Sequence, residues 1–137
     1  MSDLSVVFVV VFVVVCYCCH LVHRSNRAAA CEHPPCPTSL EDFDVPEQYL
    51  KLDDGTPFLL CDSGRDDPDR FLIFGSTDAL EMLAESSRWH GDGDGTFKTA
   101  PLIFKQMYSI HAEVGDWSLI PAVFIFVSTM TEPVYRR

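Results

Sequence analysis

The chain is short of basic residues. Ten lysines and arginines stand against twenty aspartates and glutamates, a formal charge of −10. A general nucleic-acid coat needs a basic face, so that class is excluded. Cysteine is nearly missing from the body of the chain: five of the six precede residue 37, and only Cys61 follows. One cysteine cannot staple that long remainder, so no disulfide framework holds it. No Lys, Arg, Asp or Glu falls between Leu4 and Val22. What is present instead is apolar. A content of 47% apolar and 22% charged residues excludes simple disorder and a collagen-like chain. A length of 137 residues suffices for one domain with a real core.

The apolar residues are unevenly spread. Of the nineteen residues 4–22, seventeen are apolar, with Ser5 and His20 the exceptions. About 20 such residues span a bilayer core as a helix. Nine valines make the segment an indifferent helix in water, where β-branching costs rotamer freedom. In lipid the backbone must satisfy itself internally, and that objection weakens. Residues 1–23 therefore read as a transmembrane helix or signal anchor. Arg24 and Arg27 place its C-terminal side in the cytoplasm. A cleaved signal peptide is the competing reading, but residues 1–5 hold no Lys or Arg and Ala28-x-Ala30 lies far beyond the apolar run. Cys16, Cys18 and Cys19, beside His20 and His23, match no zinc spacing. They read as small apolar residues, or as palmitoylation sites at a membrane face.

Residues 24–38 read as a linker, because Pro34, Pro35 and Pro37 block helix and sheet alike. Cys31, His33 and Cys36 offer three zinc ligands, but no downstream Cys-x-x-Cys or His pair completes a set. Between Glu41 and Asp94 there are fifteen acids and four bases, the pattern of solvated loops and turns. Asp53-Asp54-Gly55 predicts a tight turn. Phe58 to Cys61 and Phe71 to Phe74 predict short strands, and Gly64 and Pro68 put a surface loop between them. Asp62, Asp66, Asp67 and Asp69 lack the EF-hand rhythm and its closing Glu. Ser76 to Ser87 predicts a helix capped by Asp78 with Glu81, burying Leu80, Leu83 and Ala84 on one face.

From Trp89 onward three strands in a meander are expected. The second lies within residues 102–114 and the third over Leu119 to Val127, with Gly115-Asp116 turning between them. Pro121 predicts an exposed edge or a bulge near the start of the third strand. A helix is expected after Ser128 or Thr131, with Glu132 and Pro133 in its first turn. His111 reads as a hydrogen-bonded core residue rather than a ligand, and Trp89 and Trp117 as core or rim aromatics.

Several short pieces run in one order along residues 39–137. They include Ser39-Leu40-Glu41-Asp42 with Val45-Pro46, Phe58-Leu59-Leu60 with Asp62-Ser63-Gly64, and Arg70 to Gly75. Trp89, Asp94-Gly95-Thr96-Phe97-Lys98 with Ala100-Pro101, Gln106 to His111, and Pro133 to Arg137 complete them. This collinear set resembles the Mutator-like element (MULE) transposase domain found beside FLYWCH-type zinc fingers. The resemblance implies an α/β (α+β) class: a partial RNase H-like fold, with the three-stranded antiparallel meander following a helix-containing region.

The resemblance also implies a chemistry. Nucleotidyl transferases of that fold hold two Mg²⁺ (or Mn²⁺) ions with carboxylates from separate elements, and hard oxygen ligands suit these ions. Paired metals stabilise the attacking and leaving oxygens of a DNA strand. Asp94 takes the position of the first metal-binding carboxylate, while the duplicated Asp92-Gly93 offers a second candidate. The family's second Asp and its Glu belong downstream of Arg137, so DNA cleavage by this stretch alone is not expected. DNA is the implied ancestral partner and the nucleus its implied compartment. Leu119 to Val127 is expected to keep unpaired edges and an uncovered apolar face, and hence to self-associate. The alternative is a membrane-anchored acidic interaction module, inserted through residues 4–22.

Overall fold

The computed structural model describes residues 39–92, 103–115 and 118–136. The 1–23 segment expected to be a membrane helix, the 24–38 linker, Asp94 and Trp117 lie outside them.

The described chain is built on one sheet. Its strands are β1 (Leu59–Asp62), β2 (Phe71–Gly75), β3 (Trp89–Asp92), β4 (Gln106–Val114) and β5 (Ser118–Val127). Their order is β1-β2-β5-β4-β3, and every neighbouring pair is antiparallel. The meander β3-β4-β5 is therefore present, and β1-β2 extends it along β5. That extension overturns one expectation. Leu119 to Val127 has no free edge along most of its length, because β2 pairs with Val123 to Val127 and β4 pairs along the whole strand. An almost wholly apolar strand is what a central position with both faces covered calls for.

Pro121 marks a bulge rather than an edge. Ile110 pairs with Val123 and His111 with Pro121, leaving Ala122 as the extra residue. The bulge lies beyond the last β2 partner, so β2 loses no ladder bond to the missing proline amide. It also fixes a glycine. A Cβ on Gly75 would stand 2.8 Å from the Ala122 carbonyl oxygen, closer than any side chain tolerates.

Two layers cover the sheet. On one face Phe58, Leu72, Phe74, Phe104, Phe124 and Phe126 form a buried cluster. Leu40, Phe43, Val45 and Leu52 pack over it from the segment that precedes β1. This strap makes a 3-10 turn at Glu47–Tyr49, then reverses at the expected Asp53-Asp54-Gly55 turn. There Asp54 accepts from the Thr56 amide at 2.8 Å and Gly55 takes φ +84°, which a side chain would resist.

On the other face lies α1 (Thr77–Glu85). Its cap is Ser76, not Asp78: the Ser76 hydroxyl accepts from the Ala79 amide at 3.2 Å. Asp78 sits inside the first turn, where its charge suits the positive end of the helix dipole. The helix buries Ala79, with Leu80, Met82 and Leu83 packed beside it, while Ala84 faces solvent. The face turned to the sheet thus runs through Ala79, Leu80, Met82 and Leu83, and Ala84 falls outside it. After β5, α2 (Glu132–Tyr135) begins with Thr131 at its cap and Pro133 in its first turn, as expected.

Among the described residues no helix is long and apolar enough to cross a membrane.

Candidate functional site

The candidate metal position sits at the end of β3. Asp92 closes that strand and pairs through its backbone with Ser109 of β4. Asp94, with Gly95-Thr96-Phe97-Lys98, lies outside the described residues. Among the described strands β3 pairs only with β4, so it forms one border of the described sheet. Upstream of Asp92, His90 stands opposite His111 on β4. Its Nε2 lies 3.1 Å from Glu113 Oε2, and Arg88 approaches the same carboxylate at 3.7 Å. His111 is half-buried rather than part of either core cluster, and Trp89 is a rim residue, 64% exposed. Among the described residues no three His, Cys, Asp or Glu side chains converge as a metal-holding group.

Two acids of the 63–69 loop, Asp67 and Asp69, have partners in the protein. Asp67 Oδ1 accepts from the Asp69 amide at 3.0 Å, and Asp69 Oδ1 accepts from the Thr129 hydroxyl at 2.6 Å. Asp62 meets Arg70, whose guanidinium donates to Oδ1 at 2.9 Å and Oδ2 at 2.6 Å. Arg70 also donates to the Leu40 and Phe43 carbonyls at 2.7 and 2.8 Å, and stacks over the Phe43 ring at 5.6 Å. Its side chain is only 2% exposed, so every donor it buries needs such a partner. Burial opposes the charge on Asp62. The Arg70 guanidinium and the Gly64 amide outweigh that opposition and hold the carboxyl below its ordinary value.

A second polar group lies on the opposite face, where α2 meets the sheet. Tyr108 Oη donates to Gln106 Oε1 at 2.5 Å and lies 2.5 Å from Tyr135 Oη. The two rings meet edge to face at 5.8 Å. Burial and the Tyr135 contact push the Tyr108 phenol up to about 12. Beside these rings an apolar groove of about 410 Å³ runs over β2, β5 and β4.

Neither the Arg70 hub nor the tyrosine pair follows from motif reading. Phe71 to Phe74 are all apolar, so no alternation in the sequence marks Arg70; that Arg70, Leu72 and Phe74 share the buried face is seen only in the sheet. The tyrosine pair carries no signal either, because twenty-seven residues separate its members.

Compared with family models, with curated proteins and with solved structures, the chain matches none.

Proposed function

We propose that residues 39–137 form the opening part of a MULE-type transposase domain of RNase H-like fold, with no DNA-cleaving activity of their own. Asp94 is the first metal-binding carboxylate in this reading, and Asp92 the alternative at the duplicated pair. One observation carries it. The strand that leads to both acids opens an antiparallel meander, and it borders the sheet, paired on one side only among the described strands. A fold that assembles its metal site from several elements needs such a border, where further strands can bring further carboxylates. A single acidic position holds a divalent ion weakly and cannot clamp two.

Mn²⁺ tests this by paramagnetic broadening of amide signals. Expected is weak, saturable broadening at Gly91 and Ser109 that disappears in Asp94→Asn. Loss in Asp92→Asn alone would transfer the role to Asp92. Broadening at neither amide would sink the assignment. Mg²⁺-dependent DNA cleavage that is lost in Asp94→Ala would overturn the inactive reading.

A further inference from the structure

We propose that Asp54-Gly55 is a site of spontaneous isomerisation from aspartate to isoaspartate, and that two hydrogen bonds from Thr56 to the Asp54 carboxylate hold the reaction back in the folded chain. The sequence holds three Asp-Gly pairs, at 54–55, 92–93 and 94–95, and only the first lies wholly within the described residues. Glycine matters because the following backbone nitrogen is the nucleophile, and no side chain crowds it there. Asp53, Asp54 and Gly55 are all exposed at the tip of the turn. No described atom comes within 4 Å of where a Gly55 Cβ would stand, so bulk does not guard the pair.

The atoms balance with water alone. The Gly55 nitrogen gives up its proton and bonds to Asp54 Cγ, and a carboxyl oxygen leaves as water. The product is a cyclic succinimide. Water then adds to the ring. Opening at Cγ restores aspartate, while opening at the former Asp54 carbonyl gives isoaspartate, with no atom gained or lost overall. The backbone then runs through Cβ and Cγ and is one carbon longer. That length no longer suits the closed turn, in which the Leu52 amide donates to the Thr56 carbonyl at 2.8 Å and Lys51 pairs with Pro57.

Hydrogen bonds oppose the first step at both reacting groups. The Gly55 amide donates to the Leu52 carbonyl at 2.9 Å, so the proton that must leave is held. Asp54 Oδ1 accepts from the Thr56 amide at 2.8 Å and from the Thr56 hydroxyl at 2.6 Å, which fixes the carboxylate toward Thr56. A protonated carboxyl loses oxygen as water far more readily than a carboxylate does. The Thr56 hydroxyl, and then its amide, hold the Asp54 carboxyl below its ordinary value and so in the unreactive form. Isomerisation therefore runs from the opened turn, at a rate set by the fraction of time the turn is open.

The test is to age the full chain at neutral pH, with and without concentrated urea, and digest it with trypsin. Cleavage after Lys51 and Arg65 isolates residues 52–65, and electron-transfer fragmentation tells the two linkages at Asp54 apart. Isoaspartate at 54 is expected to form at least about tenfold faster in urea, because opening the turn breaks more than one hydrogen bond. Thr56→Val removes the hydroxyl bond and should speed formation roughly three- to tenfold in the folded chain. Thr56→Ser keeps the hydroxyl and should match the parent. Amide exchange in β1 checks that the sheet of each variant is intact, and the urea comparison on the parent needs no variant. Equal rates with and without urea would overturn the proposal. So would a Thr56→Val rate equal to the parent's, or no isoaspartate at 54 even in urea.

Discussion

The two faces of the sheet are closed in different ways. One carries six mutually packed buried apolar side chains, five of them phenylalanines, and a strap of chain fastened over them. Arg70 fastens it, donating to two strap carbonyls while Asp62 holds the guanidinium in place. The other face has α1 at one end, α2 at the other, and an apolar groove between. Its core residues are small, Ala79, Ala122 and Val123, because a helix must come close to the strands. Dense aromatic packing, and an ion pair whose arginine is buried, close the first face. Among the described residues, the second is closed only where a helix lies on it.

The sharpest way to break this contrast is to hollow the first face. Phe74→Ala should cost about 3–5 kcal/mol, since Phe74 is 1% exposed and contacts Phe58 and Phe126. Urea unfolding checks this, and a loss under about 1 kcal/mol would mean the cluster is not the main support.

Next comes the fastening. Arg70→Met keeps the apolar stem but removes the donor to two strap carbonyls and leaves Asp62 with the Gly64 amide and no guanidinium. A loss of about 3 kcal/mol is expected. Amide exchange should quicken in the 40–52 strap more than in β4, and uniform quickening would show that Arg70 does not act through the strap.

Acid probes the same pair from the Asp62 side. A carboxyl held below its ordinary 3.8 adds stability that is complete above that value and is lost as pH falls below it. Asp62→Asn should flatten that part of the stability–pH curve. An unchanged acid slope in the variant would place the dependence on other carboxyls.

The smallest effect belongs to the open face. Tyr135→Phe should shift stability by no more than about 0.5 kcal/mol, because the ring stays and the residue is half exposed. A loss above about 1.5 kcal/mol would show that the tyrosine pair, and not packing, closes that face.

Much of the fold was legible in the sequence. β1 and β2 sit where the apolar runs at Phe58 and Phe71 placed them, and the meander and the α2 start agree with the turn and proline signals. Local chemistry governs such features, because a turn at Asp53-Asp54-Gly55 or a proline in a first helical turn needs no distant partner. The helix cap was misread because Ser76 and Asp78 are both good caps. The choice fell to where β2 ends, as Ser76 follows Gly75 directly and leaves the strand with extended backbone. The site was legible only as a motif. Asp92 could be placed on a strand, but the meeting of His90, His111 and Glu113 farther along β3 and β4 comes from register across two strands.

The sequence by itself determined most of the elements and the acid excess before Asp94. Tertiary structure alone decided that β5 is central, that Pro121 forms a bulge against β4, and which side chains meet across it. The physical reason is range. Propensity, capping and turns act over a few residues, whereas Arg70 reaches Leu40 across thirty positions and Tyr108 reaches Tyr135 across twenty-seven. Such contacts exist only once the sheet has fixed the strand order and brought both partners to one face.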